Sequence, residues 1–216
     1  MSWPEFGTWR ALQPGDFTID GETHHIVVVD CGDLMLPSGR LVAADPFVTL
    51  MWRNCYYRVP PGAYPVRVTI DETIEREMSL SLILAPDAEV THEPLVPYTP
   101  DDEPLPAPEA DSSYGVAVDA GTVCFVDDEA VRRGMPDTSA WGDLFENDSN
   151  ASWFAIMDDP KHIRAGLANI PLPLATDGAN LILSHSGWGD GFYPVIGGYD
   201  VDGRLIAVHI DLLVLA

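Results

Sequence analysis

Alternation is the feature that most narrows what this chain can fold into. Tyr64, Val66, Val68 and Ile70 share one face of a run whose other face carries Pro65, Arg67 and Thr69. A two-residue period with one apolar side belongs to a half-buried strand. Met78-Ser79-Leu80-Ser81-Leu82-Ile83-Leu84 repeats the pattern and reads as its antiparallel neighbour, with the acidic connection 71–77 in solvent. Strand signals of this kind recur along the chain, separated by turn residues rather than by regularly spaced helices. That argues against an alternating α/β plan and predicts a mainly β protein (β-rich α+β), an antiparallel sandwich or open barrel with two or three short helices.

In chain order, residues 16–19 and 25–30 flank Asp20-Gly21, whose tolerance of left-handed backbone suits a tight hairpin turn. Leu34-Met35-Leu36 and Arg40-Leu41-Val42-Ala43 lie either side of Pro37-Ser38-Gly39 and predict a second hairpin. Tyr114-Gly115-Val116-Ala117-Val118 and Thr122-Val123-Cys124-Phe125-Val126 predict another across Asp119-Ala120-Gly121. Residues 47–57 fit either a short helix or a strand. Asp127-Asp128-Glu129-Ala130-Val131-Arg132-Arg133-Gly134 has acids first, arginines last and a closing glycine, the start and stop signals of a short helix. Asp128 with Arg132 and Glu129 with Arg133 stand at four-residue spacing. Trp141, Leu144 and Phe145 form a second helical stripe, read as core packing, whereas residues 152–157 look like a strand.

Between residues 93 and 109 the chain holds six prolines and five acids with no Lys or Arg, which excludes a helix or a central strand. The expected organisation is one integral domain over 1–216, with a β half at 1–92, a proline-rich acidic crossing at 93–110 and a β half with short helices at 111–216.

Charge limits the partners. Thirty-four acidic residues against eleven basic ones give a net charge of −23, which repels nucleic acid and anionic membrane surfaces and attracts basic proteins. A hydrophobic fraction of 46% rules out disorder. The cysteines Cys31, Cys55 and Cys124 have no Cys-x-x-Cys spacing, so neither a zinc knuckle nor a redox pair is expected. With reduced thiols among apolar neighbours and an N-terminus unlike a signal peptide, the expected compartment is the cytoplasm.

The densest chemistry lies in Ser184-His185-Ser186-Gly187-Trp188-Gly189-Asp190-Gly191-Phe192-Tyr193 and in the last strand, where His209 and Asp211 share a face. If the last three strands form one sheet, His185 approaches His209 or Asp211. A serine, histidine and carboxylate then have the makings of a nucleophile, base and orienting acid, and two histidines with an aspartate those of a metal site. The catalytic candidates are therefore His185, Asp190, His209 and Asp211. Trp188, Phe192, Tyr193 and Ser186 are the candidates for ligand contact, the three rings as an aromatic floor or an anchor for a protein partner. No nucleophile elbow, metalloprotease helix, phosphate loop or dinucleotide fingerprint is present, and no cofactor or metal is expected. Asp200-x-Asp202-Gly203 has its glycine too early for a calcium loop and predicts a hairpin turn.

Leu36-Pro37-Ser38-Gly39-Arg40-Leu41-Val42 with Asp45-Pro46-Phe47, then Val59-Pro60-Pro61-Gly62-Ala63-Tyr64-Pro65-Val66, then Gly187-Trp188-Gly189-Asp190-Gly191-Phe192-Tyr193-Pro194-Val195 resemble a bacterial family, the domain of unknown function forty-two forty-one. Val118-Asp119-Ala120-Gly121 with Cys124 and Asp127 extends the resemblance along nearly the whole chain. It implies bacterial origin and one integral domain, and carries no catalytic residues with it.

From these features the expected function is that of a non-catalytic, β-rich binding protein. It would engage a protein partner, in an accessory or immunity-type role, through its acidic surface and its glycine-aromatic loop. The alternative is a small-molecule hydrolase or lyase using His185 with a nearby carboxylate.

Overall fold

The computed structural model describes residues 10–19, 21–109 and 112–215. The chain begins with β1 (Gly15–Ile19) and the long β2 (Glu22–Leu36), paired antiparallel with Phe17 opposite His24. Asp20 of the expected turn lies outside the described residues; Gly21 follows it with φ of 87°. A bulge between Asp30 and Asp33 bends β2 at Gly32, whose φ is 82°. Next come β3 (Arg40–Ala44), β4 (Tyr57–Arg58), β5 (Gly62–Asp71) and β6 (Arg76–Ile83). The alternating runs are indeed antiparallel neighbours, Val66 facing Leu82 and Val68 facing Leu80. β7 (Thr91–Pro94) is a short edge strand, and β8 (Gly115–Val118), β9 (Thr122–Asp127), β10 (Leu167–Pro171), β11 (Asn180–His185), β12 (Gly191–Tyr199) and β13 (Leu205–Asp211) complete the sheets.

The strands form two antiparallel sheets. The larger runs β1-β2-β5-β6-β13-β12-β7, with β8 also on β12, and the smaller runs β10-β11-β9-β3-β4. Each draws strands from both sides of the proline-rich crossing. Val66, Val68, Leu80, Leu82, Val208 and Ile210 of the larger sheet pack against Val123, Phe125, Leu167 and Ile182 of the smaller. On the smaller sheet's far face, Cys124, Val126, Leu181 and Leu183 meet Trp141, Phe145, Trp153 and Met157 from the helical layer. Successive residues of β9 thus serve two cores, which is why that strand is apolar throughout.

Three short helices make up that layer: α1 (Asp128–Gly134), α2 (Trp141–Phe145) and α3 (Trp153–Asp158). Asp127 caps α1 by accepting from the Ala130 amide, and Arg132 pairs with Asp128 at 2.5 Å as its spacing predicts. Arg133 instead reaches Asp177 at 3.6 Å, leaving Glu129 to Arg40 at 3.9 Å. Residues 153–158 correct the strand reading. Ser152 caps their first turn through the Ala155 amide, and Trp153 and Met157, four apart, turn one stripe into the core. Within 47–57 there is neither regular helix nor strand before β4. The Phe47 amide bonds the Asp45 carboxylate and the Thr49 and Leu50 amides the Asp45 carbonyl, giving a compact turn.

Two expected hairpins are not hairpins. Residues 37–39 do turn sharply, with the Gly39 amide 3.2 Å from the Leu36 carbonyl, but β2 lies in the larger sheet and β3 in the smaller. Likewise 119–121 turns the chain from β8, on β12, to β9, between β11 and β3. Each turn is a corner between layers, held by a buried aspartate at the far end of a neighbouring strand. Asp127 accepts from the Ser38 amide at 2.9 Å and its hydroxyl at 2.7 Å; Asp45 accepts from the Asp119 and Ala120 amides at 2.9 and 2.8 Å. At Gly39 an added Cβ would fall 2.4 Å from the Val59 carbonyl oxygen, so the first corner closes only on glycine.

Candidate functional site

The glycine-aromatic stretch, the first of two candidate places, forms one wall of a cleft of about 740 Å³. Its other walls are Glu75 of the β5–β6 turn with Arg76 and Glu77 at the start of β6, the 119–121 corner, the C-terminal end of α3 and Arg164. The loop after β11 is fixed from inside. The Ser186 amide donates to the Gly121 carbonyl, and the Ser186 hydroxyl and Tyr193 phenol both donate to the Gly189 carbonyl, at 2.7 and 2.8 Å. Gly187 has φ of 68° and passes so close to β6 that a Cβ would lie 2.8 Å from the Glu77 carbonyl oxygen. This is the close backbone approach that the glycine density implies.

The candidate ligand contacts separate. Trp188 is 60% exposed on the cleft, with the Arg76 guanidinium 5.3 Å from its ring centre, a cation–π distance. Phe192 is exposed on β12, while Tyr193, one residue on, is buried in the inter-sheet core. Adjacent strand residues point to opposite faces, so the three rings do not make one floor. Ser186 lines the cleft, but it is buried and its hydroxyl is used within the loop.

The catalytic candidates separate too, because β11 joins the smaller sheet while β12 and β13 join the larger. His185 ends β11 in the cleft; Asp190 is exposed and does not line it. His185 Nδ1 and Glu77 Oε1 both crowd Gly166, where an added Cβ would come within 2.7 and 3.2 Å of them. His209 and Asp211 lie on β13, on the face opposite the inter-sheet core, each opposite a serine of β6. His209 is wholly buried, with Nδ1 2.8 Å from Ser81 Oγ and Nε2 3.0 Å from Glu89 Oε2. Asp211 accepts from the Leu213 amide at 3.0 Å. Burial pushes its carboxyl up to about 6, against the opposing pull of that amide and of His209. The structure therefore brings none of His185, Asp190 and the β13 pair into one constellation.

A second place is built around His209. Glu89, in the connection before β7, also meets His92 Nε2 at 2.6 Å. Burial alone would raise the Glu89 carboxyl, but hydrogen bonds from His209 and His92 outweigh it and hold it near 2. Sequence reading passed over Glu89 and His92. Their Glu-x-x-His spacing was visible, but His209 stands far along the chain and only sheet pairing brings it near.

Fold and sites together define the class: a two-sheet antiparallel β protein with a helical layer and an aromatic-rimmed cleft, in which no described helix is long and apolar enough to cross a membrane. The chain belongs to the family described as protein of unknown function (DUF4241), whose model matches residues 34–210. No curated protein and no solved structure matches it. The matched span contains both corners, their aspartates, the cleft loop and all three members of the His209 cluster.

Proposed function

We propose that this chain is a non-catalytic binding protein that engages a basic protein partner through the loop carrying Trp188 and the acids beside it. The observation that carries this reading is Trp188 itself, a large ring 60% exposed on a loop whose backbone is tied down by Ser186 and Tyr193. A rigid, exposed aromatic loses little entropy on docking and makes an effective anchor. Glu75, Glu77 and Asp158 outnumber Arg76 and Arg164 on the same cleft, on a chain of net charge −23, which favours a basic partner and rapid, salt-sensitive encounter. The test is capture of partners from a bacterial lysate on the immobilised chain and on Trp188→Ala, at about 50 and about 300 mM salt. A basic protein held by the parent, released by salt and lost from the variant supports the proposal. Equal capture by both chains, or none by either, overturns it.

A second reading, a hydrolase or lyase with His185 as base, draws on one specific observation: His185 and Glu77 crowd the same glycine at the cleft. It predicts turnover of a small molecule that His185→Ala abolishes while partner capture is unaffected.

A further inference from the structure

Glu89 and His92 stand three residues apart and His209 more than a hundred residues further on, yet their ligand atoms all lie within 4.8 Å of one another. Two imidazole Nε2 atoms aim at a single carboxylate oxygen, at 2.6 and 3.0 Å. The topology makes this meeting possible: His92 on β7 and His209 on β13 flank β12, and Glu89 lies across β12 between them. It lies there because residue 198 is glycine. An added Cβ at Gly198 would fall 2.4 Å from Glu89 Oε2, so a larger residue there would push the Glu89 side chain out of this position.

We infer that Glu89, His92 and His209 form a binding site for one divalent cation of the zinc class. Two imidazole nitrogens and a carboxylate oxygen are a donor set suited to zinc, and a poor one for magnesium or calcium, which take all-oxygen shells. A tetrahedral ion with bonds of about 2.1 Å needs its ligand atoms roughly 3.4 Å apart, so each Glu89 contact must open by less than about 1 Å, and the two imidazole nitrogens, held within 4.8 Å, close by at most about 1.4 Å through a turn of the His92 ring. Glu89 can supply that movement, since it stands in a connection rather than in a strand. Ser81 serves the same end by orienting the His209 ring through Nδ1, because a hydroxyl accepts from Nδ1–H when Nε2 binds a cation and donates to Nδ1 when Nε2 carries the proton. A bound ion would tie the four-residue edge strand β7 to β13 across β12 and fix the point where the proline-rich crossing leaves the sheet.

The experiment uses the full chain without an affinity tag, stripped with chelator and titrated with Zn²⁺ against a chromophoric competitor. The parent should take up one ion per chain and melt at a higher temperature when loaded. Glu89→Gln and His92→Gln should each weaken binding more than about 100-fold and abolish the melting shift, with far-ultraviolet circular dichroism of the stripped chains unchanged. These two partly exposed positions carry the test because His209 is fully buried, so its replacement also perturbs the fold. His25→Gln tests the surface alternative, since His25 stands beside Asp16 and Glu72 at 2.6 and 3.9 Å. Unchanged binding in His25→Gln supports the inference. No uptake by the parent, uptake that survives both Glu89→Gln and His92→Gln, or loss in His25→Gln alone overturns it.

Discussion

The corners at 37–39 and 119–121 both carry the chain from the larger sheet to the smaller, and the aspartates that hold them differ in what they hold. Asp127 accepts from the Ser38 amide and hydroxyl with one oxygen and caps α1 with the other. Asp45 accepts from three backbone amides, those of Asp119 and Ala120 with one oxygen and that of Phe47 with the other. The arrangement is reciprocal. Each corner leads into a strand, β3 or β9, whose far end holds the opposite corner, and the two strands are antiparallel neighbours. A serine hydroxyl can rotate toward another acceptor, whereas an amide in a fixed corner cannot. Of the two, the Asp45 clamp therefore has fewer ways to relax when its carboxylate is removed.

Breaking the clamps should rank them. Asp45→Ala strands three amide donors and should cost about 3–5 kcal/mol, read by urea unfolding. Asp127→Ala loses the Ser38 contacts and a helix cap, and about 2–4 kcal/mol is expected by the same measurement. Equal losses, or a reversed order, would remove the distinction between the corners.

Thiol labelling sharpens the comparison without a denaturant series. Cys55 is exposed, while Cys31 and Cys124 are buried. Burial pushes the Cys31 thiol up to about 12 and raises that of Cys124 further, with the Asp45 charge adding to the effect. A chromogenic disulfide should modify one thiol per folded chain and all three after unfolding. Cys124 pairs with Ala44, next to Asp45, so Asp45→Ala should speed its labelling more than Asp127→Ala does.

The smallest effect should come from the solvent-exposed Asp16–His25 pair of the β1–β2 hairpin, which contacts neither corner aspartate. The Asp16 carboxylate accepts from His25 at 2.6 Å and holds that imidazole above its usual range, against an opposing pull from desolvation. A raised folded value means the contribution is present below the ordinary histidine value and fades as pH rises through the raised one. Parent and His25→Gln should differ slightly in unfolding midpoint at about pH 5.5 and converge at about pH 8.5. A gap that widens with pH would contradict the sign.

Much of the local structure could be read from residues alone. Alternation identified β5 and β6, the charge gradient and closing glycine identified α1, and the glycines around Trp188 signalled a close backbone approach that Gly187 makes. Where a second signal competed, reading failed. Ser152 to Met157 has the β-branched and aromatic content of a strand, and the serine cap with its four-residue core stripe decided for a helix.

Sequence by itself determined the strand period, the turn positions and a net charge of −23, because these depend on near neighbours and on composition. Which strands become partners was decided only by tertiary structure. A turn such as 37–39 has nearly the same local chemistry whether its second arm folds back on the first or crosses to another sheet. The choice rests on a carboxylate 89 residues away and on the core that both sheets share. The same physics separated His185 from His209 and gathered Glu89, His92 and His209. Register across strands distant in sequence brings His209 to the Glu89-His92 pair, and no spacing along the chain encodes that meeting.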